Sequence, residues 1–379
     1  MIRVLAPRAA VPRLTRRALL GGMAVVGAGA LAGCGERTYA PTAAVDGALE
    51  DRLNVYSWGD YDAPRNIRRF QRERDVTVQM DAFASNEEMI AKLGTARGTS
   101  GYDIVVPTGS YVPQMVANGM LAPLDHTLLP NLANLEPSAR GRDWDPGDEY
   151  VVAKTIGTTG FVYDTQQISR PMESWADFIA AAGEEARGSV SVLDDPFEVA
   201  AIFFASRGYD LNTTDRAHLD EARAFLTGEF AQLIRNFSSD PSQNVVQRDF
   251  ALMQCYNGDA RLGIEEGDYE HWRFVYPAPT ANLWMDTWAI AAGSQHPDNA
   301  HAWINYMLEP DVAYREVNYN GYPTGVAGQR EQAQTRGLEM PDLVFPPDEV
   351  MARLTSGLVT EAQETLVDIL NEVKAVAGS

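Results

Sequence analysis

The residues with the most chemical potential in this sequence are carboxylates set beside aromatic rings. The run Leu283-Trp284-Met285-Asp286-Thr287-Trp288 places one acid inside an otherwise apolar β pattern. If that strand is buried, Asp286 needs a partner, because an unpaired carboxylate away from water is costly. Asp195-Pro196-Phe197-Glu198 offers two more acids three residues apart. The same four residues also make a helix start, with a capping acid, proline at the first position and an acid at the third. Capping and ligand contact are both open to them, and the two roles can coexist. Trp58, Tyr61 and Tyr322 add rings, although Trp58 and Trp284 read equally well as core aromatics. Carboxylates mixed with tryptophan and tyrosine suit a cationic, partly apolar solute. The acids pair with ammonium groups, and ring faces take methylenes while attracting cations by roughly 0.5 to 2 kcal/mol each.

Catalysis finds less support. The five histidines (His126, His218, His271, His296 and His301) are scattered, with no HExxH and no metal-ligand pairing. His296 and His301 flank a helix start and read as surface residues. There is no GxSxG elbow, and Cys255 has no evident partner. A carboxylate pair of the kind used in glycoside hydrolysis is the enzymatic alternative, and no cofactor or metal is implied. Gly27-Ala28-Gly29-Ala30-Leu31-Ala32-Gly33 matches a nucleotide loop only superficially, because no strand precedes it.

Residues 1–33 carry five arginines and no acid, then run into the apolar stretch Ala18 to Gly33. That is the charge and hydropathy order of an export signal. Thr15-Arg16-Arg17 followed by Leu19-Leu20 resembles a twin-arginine signal, a pairing that an ordinary secretory signal also tolerates. Leu31-Ala32-Gly33-Cys34 resembles a bacterial lipobox, which makes Cys34 the expected site of lipidation and residue one of the mature chain. The apolar run is short and glycine-rich for a spanning helix. Removal of residues 1–33 leaves 346 residues with 26 basic and 52 acidic side chains, a net charge of −26. Such acidity disfavours nucleic acid and anionic surfaces and favours small cations. With Cys34 acylated, Cys255 has no intrachain disulfide partner.

The elements that must position these residues alternate between β-rich runs and amphipathic segments. Residues 34–51 read as a flexible tether. Strands are predicted at Leu53–Trp58, Val76–Phe83, Tyr102–Val106, Val151–Tyr163, Ser189–Leu193, Arg261–Glu265 and Phe274–Tyr276. Helices are predicted at Pro64–Arg74, Glu87–Ala96 capped by Asn86, Trp175–Ala182, Phe197–Ser206, Asp215–Leu226, Asn299–Leu308, Val312–Asn318 and Thr360–Ala375. The alternation predicts an α/β chain of βαβ units with a largely parallel sheet. Its length predicts two lobes, here 52–160 with 287–327 and 161–286 with 328–379, enclosing a cleft.

Several motifs resemble those of the periplasmic spermidine/putrescine-binding proteins of ABC importers. They are Trp58-Gly59-Asp60-Tyr61, Ser85-Asn86-Glu87-Glu88-Met89, Tyr102 to Tyr111, Gly119-Met120-Leu121, Leu193 to Glu198, Leu283 to Thr287 and Gly321-Tyr322-Pro323-Thr324. The resemblance extends from about Leu53 to the carboxyl terminus. It implies a two-lobed type II periplasmic-binding-protein fold and a polyamine ligand held by Trp58, Asp60, Tyr61, Ser110, Tyr111, Asp195, Glu198, Trp284, Asp286 and Tyr322. It also implies delivery to ABC permease subunits by a monomer tethered outside the cytoplasmic membrane. The sequence departs from the family after Asn257-Gly258-Asp259, where relatives carry a strand ending in a stacking tryptophan. Here Glu266, followed by Asp268, takes that place, so a wall is replaced by carboxylates or by a solvent-facing rim. Ser110 stands where spermidine-binding relatives carry an aromatic. These departures leave the choice among putrescine, spermidine and another cationic or amino-acid-derived solute open.

Overall fold

The computed structural model describes residues 42–96, 100–267 and 270–378. Three parallel strands, β1 (Arg52–Trp58), β2 (Thr77–Phe83) and β3 (Ile104–Val105), are linked by α1 (Pro64–Arg74) and α2 (Asn86–Ala96). Proline at the first position of α1 presets its helical φ. Asn86 is not the cap of α2. Ser85 takes that role: its hydroxyl accepts the Glu88 N–H at 3.1 Å, while Glu88 reaches back to the Ala84 N–H at 2.9 Å. Asn86 turns inward and clasps Thr108 through two hydrogen bonds of 3.0 Å.

After β4 (Leu121–Ala122) comes β5 (Val151–Asp164), a 14-residue strand about 46 Å long. A second set follows: α3 (Trp175–Gly183), β6 (Val190–Leu193), α4 (Pro196–Arg207), α5 (Arg216–Phe225), β7 (Ile234–Ser238), α6 (Pro241–Gln247), β8 (Leu252–Tyr256), α7 (Asn257–Gly267) and β9 (Trp272–Val275). Then β10 (Asn282–Ala291) returns to the first set and is followed by α8 (Pro297–Met307), α9 (Pro310–Asn320), β11 (Thr355–Ser356) and α10 (Gln363–Ala377). The strand order is β2-β1-β3-β10-β5-β8-β6-β7, with β4 and β11 on β10 and β9 on β5.

The sheet is mixed rather than largely parallel. Pairs β1/β2, β1/β3, β6/β7 and β6/β8 are parallel, but β5 and β10 run antiparallel to each other, β5 to β8 and β9, and β10 to β3 and β4. These two strands carry the chain between the halves, and a returning strand enters from the opposite end. Strand–helix alternation carries no signal of that direction. One core gathers Phe70, Val152, Trp288 and Trp303; another gathers Phe161, Trp175, Phe178 and Phe203. β5 contributes Val152 to the first and Phe161 to the second, so a single strand spans both.

Three further expectations are corrected. Arg261–Glu265 is helix, within α7, not strand: Ala260 and Ile264 bury one face, Arg261 pairs with Glu265 at 2.7 Å, and Gly263 lets α6 approach closely. His301 is buried, its Nε2 accepting the Asp125 N–H at 2.9 Å, and His296 lies between Asp103 and Glu50; neither is a free surface residue. The end of the expected tether is held down. Ala43 N–H donates to Ser294 O, the Asp46 and Gly47 N–H groups to Asp298, and the Glu50 N–H to Asn299.

Candidate functional site

The site is built on one face of the β5/β10 ladder. In the antiparallel register Asp286 lies opposite Thr155 and Trp284 opposite Gly157. Side chains two apart share a face, so β10 presents Asn282, Trp284 and Asp286 in a row while β5 presents Thr155, Gly157 and Thr159. Gly157 is required here, because a Cβ on it would stand 2.1 Å from the Trp284 ring. The indole therefore packs directly on the β5 backbone at Gly157. Tyr256 meets it edge-on at 5.5 Å between ring centres and Tyr322 at 5.1 Å. Tyr322 in turn lies over Gly258, whose Cβ would meet the ring at 2.5 Å.

At one end of the row Asp286 is 6 % exposed. Its Oδ2 accepts the Tyr61 hydroxyl at 2.7 Å and its Oδ1 the Thr108 hydroxyl at 2.7 Å. Burial raises its carboxyl above the usual range, against the pull of those two donors and of Lys154. At the other end Glu198 is 4 % exposed. Its Oε1 accepts from Thr159 Oγ1 and from Asn282 Nδ2, both at 2.7 Å, and its Oε2 is buried with no hydrogen-bond partner. Burial first, and Asp195 second, push Glu198 up to about 8. Asp195 itself is pushed up to about 6 by burial, against the Glu198 N–H that it caps at 2.9 Å. Capping and a place in the site coexist at Asp195.

Tyr256 marks the centre. Its hydroxyl is raised well above normal by burial and then by Glu198, Asp195, Asp259 and Asp286, so one ring feels the charge of four carboxylates. Asp259 is raised to about 6 by burial and accepts a hydrogen bond from the Tyr322 hydroxyl. The arrangement can hold a chain of methylenes between rings with cationic ends at the acids. Among the described residues no group of three or more His, Cys, Asp or Glu could hold a metal ion.

Of the residues singled out in the sequence, Tyr61, Asp195, Glu198, Trp284, Asp286 and Tyr322 are brought together. Tyr111 lies near Asp195, donating its hydroxyl to Glu87 at 2.6 Å and accepting from Gln363 on α10 at 3.3 Å. Ser110 sits half-buried on the same turn and makes none of these hydrogen bonds. Trp58 ends β1, packed on Phe83 at 4.6 Å with its indole N–H buried and unpartnered. Asp60 is exposed in a turn with φ of 51°. Glu266 is exposed in the last turn of α7, about 10 Å down the helix axis from Asp259, and is not drawn into the group. Asp268 and Cys34 lie outside the described residues. The sequence reading passed over Tyr256, Asp259, Thr108, Thr159 and Asn282. The available signal was Tyr256-Asn257-Gly258-Asp259 itself, where an aromatic and an acid flank a glycine that admits Tyr322.

Comparison with known proteins places the chain as a whole. The profile of bacterial extracellular solute-binding proteins matches residues 66–336. Spermidine/putrescine-binding periplasmic protein 1 of Haemophilus influenzae is 31% identical over 284 residues, 75% of this chain and 78% of that protein. Among solved structures, the spermidine/putrescine ABC transporter substrate-binding protein of Streptococcus pneumoniae superposes with a TM-score of 0.73 at 27% identity. That match covers 86% of this chain and 100% of the other. A lipoprotein of Treponema pallidum gives 0.75 at 27% identity, covering 85% of this chain and 99% of the other. The fold is the two-lobed type II periplasmic-binding-protein fold, as the motifs implied.

Proposed function

The chain belongs to the bacterial extracellular solute-binding proteins, and within that family we propose that it binds a linear polyamine on the β5/β10 face and delivers it to an ABC importer. One observation carries this reading: two buried carboxylates, Asp286 and Glu198, stand at the ends of a row centred on Trp284. Asn282, which holds Glu198, is four residues from Asp286, about 13 Å of strand. An extended diamine of four methylenes spans about 6 Å between nitrogens at about 1.25 Å per bond, and about 3 Å for a hydrogen bond at each end brings the total to about 12 Å. The unpartnered Glu198 Oε2 supplies an acceptor for one such end. Trp58, Tyr61, Tyr256 and Tyr322 serve as walls, with Asp195, Asp259 and Tyr111 lining the approaches and Asp60 and Ser110 at the rim. The names of the similar proteins agree with the ligand class.

The remaining assignments rest on the same reading. Segments 52–160 with 287–327 and 161–286 with 328–379 form the two lobes, which close on the ligand. Lipidation at Cys34 holds a monomer at the outer face of the cytoplasmic membrane, in keeping with the lipoprotein among the similar structures. Among the described residues no helix is long and apolar enough to cross a membrane. Calorimetry of the fragment from Glu36 against putrescine, spermidine, spermine and agmatine tests the proposal. Saturable binding of at least one amine is expected, and heats no larger than dilution for all four would overturn it.

A further inference from the structure

Beneath the Asp286 end of the row lies a buried lysine. Lys154 on β5 is 2% exposed, and its ammonium is 2.9 Å from Asp62 Oδ1, itself on a side chain 3% exposed. The same nitrogen stands 4.1 Å from the centre of the Tyr61 ring and 4.6 Å from that of Trp288, and donates at 3.5 Å to the Tyr61 carbonyl. One carboxylate, two aromatic faces and a carbonyl are the surroundings that a ligand ammonium would need. Here the chain's own ammonium already fills them. Tyr61 joins the two places directly, with Lys154 against its ring and Asp286 on its hydroxyl. Asp62 is held by the Ser57 hydroxyl at 2.8 Å. Glu316 faces the lysine from α9, bound to the Ala63 N–H and to Asn66, and burial raises its carboxyl to about 7 while Lys154 pulls it down.

Resting on the polyamine reading, we propose that Lys154 is a specificity-determining residue: a resident cation that occupies a third ammonium station, closes the cleft beyond Asp286 and restricts that end to one ligand charge. A longer amine can then extend only past Glu198 toward Asp195. Lys154 is paired with Asp62 and faced by Glu316 as well, so it acts by occupancy and by fixing Tyr61 rather than by long-range repulsion of the ligand.

Three proteins test this as full chains, with affinities measured for putrescine, spermidine and spermine and folding checked by thermal melts. Lys154→Ala uncovers the Asp62 station, so spermidine or spermine should gain at least tenfold relative to putrescine. Propylammonium, which replaces the missing atoms, should raise its melting temperature and erase that gain. Lys154→Met/Asp62→Asn keeps the space filled without charge and should retain the wild-type rank order, whatever its absolute affinities. If Lys154→Ala changes all three amines by one factor, or if the filled, uncharged variant reorders them, Lys154 does not set specificity by occupancy. The second result decides the matter even if Lys154→Ala fails to fold. Wild-type protein that binds none of the amines would sink the polyamine reading and this inference together; wild-type binding without reordering removes the inference alone.

Discussion

Replacing Glu198 with glutamine separates the charge of the site from its shape. The amide can still accept from Thr159 and Asn282, as Glu198 Oε1 does, but it cannot supply a negative charge at the Oε2 position. A hydrogen bond to a charged group contributes about 1.5 to 3 kcal/mol, so Glu198→Gln should weaken amine binding by roughly 10- to 150-fold at alkaline pH. The loss should shrink as pH falls. With its carboxyl near 8 in the free protein, wild-type Glu198 must release a proton to meet an ammonium. That requirement costs roughly tenfold in affinity at pH 7 and almost nothing at pH 9. The ratio of variant to wild-type dissociation constants should therefore be about ten times larger at pH 9 than at pH 7. Calorimetry in two buffers of different ionisation enthalpy should also show proton release on binding to wild type near pH 7, and less for the variant.

Stability supplies an independent readout with its own sign. A group whose pKa is raised on folding stabilises the folded state fully below its unfolded value and loses that contribution as pH climbs through the folded value. For Glu198 the window runs from the ordinary value of 4.5 to about 8. Free wild-type protein should lose thermal stability across that range, on the order of a few kcal/mol. Glu198→Gln should lose less. Equal pH slopes for the two proteins, or an affinity ratio that does not change with pH, would refute the reasoning.

Four further outcomes are expected. Asp286→Asn should weaken amine binding at least about tenfold, near 1.4 kcal/mol, with little change in melting temperature; unaltered binding would make Asp286 purely structural. Gly157→Ala should displace the Trp284 ring, which a Cβ would approach to 2.1 Å, and lower affinity for every amine alike; normal affinity would mean that the indole is not a wall. Small-angle scattering should show a smaller radius of gyration with saturating amine, since binding across two lobes closes them, and superimposable profiles would speak for a rigid site. Mass spectrometry of the membrane fraction should find a lipid-modified amino-terminal Cys34 that Cys34→Ser abolishes; recovery of chains that begin near Met1 would contradict it.

Much of this arrangement was legible in the sequence, for identifiable reasons. Asp286 within an apolar strand and Asp195-Pro196-Phe197-Glu198 at a helix start are local conflicts between a residue type and its surroundings. Such conflicts are where function shows. Helix α1 was predicted with its observed bounds because proline and amphipathic spacing mark it from within. The misses share a different cause. Arg261–Glu265 is short enough that period alone does not separate strand from helix, and the deciding contact is made by Gly263 to residues outside the segment, Val245 and Ser242. As a strand the segment would end at Glu266; as a helix it begins at Asn257, directly after Tyr256, which meets Trp284. Thr108 and Thr159 carry no signal of their own, because only tertiary structure sets these threonines beside Asp286 and Glu198. The antiparallel course of β5 and β10, which aligns Asn282, Trp284 and Asp286 against Thr155, Gly157 and Thr159, was likewise invisible to alternation.

The free protein meets the problem of crowded acids in two different ways at the two ends of its row. At the Glu198 end, burial raises both acids, and Asp195 raises Glu198 further. Near neutral pH that end is satisfied largely by a proton. At the Asp286 end burial likewise raises Asp286 and Glu316, and Lys154, fixed to Asp62, pulls both part of the way back down. A proton exchanges with solvent, whereas a lysine in a 2%-exposed position does not. Only the first end can trade its counter-charge for a ligand ammonium without reorganising the core. In the proposed binding mode Asp286 meets an ammonium with a charge that its donors, the neutral Tyr61 and Thr108 hydroxyls, do not cancel. Affinity for an amine should consequently follow the titration of Glu198 and Asp195, and Glu198→Gln should flatten that dependence.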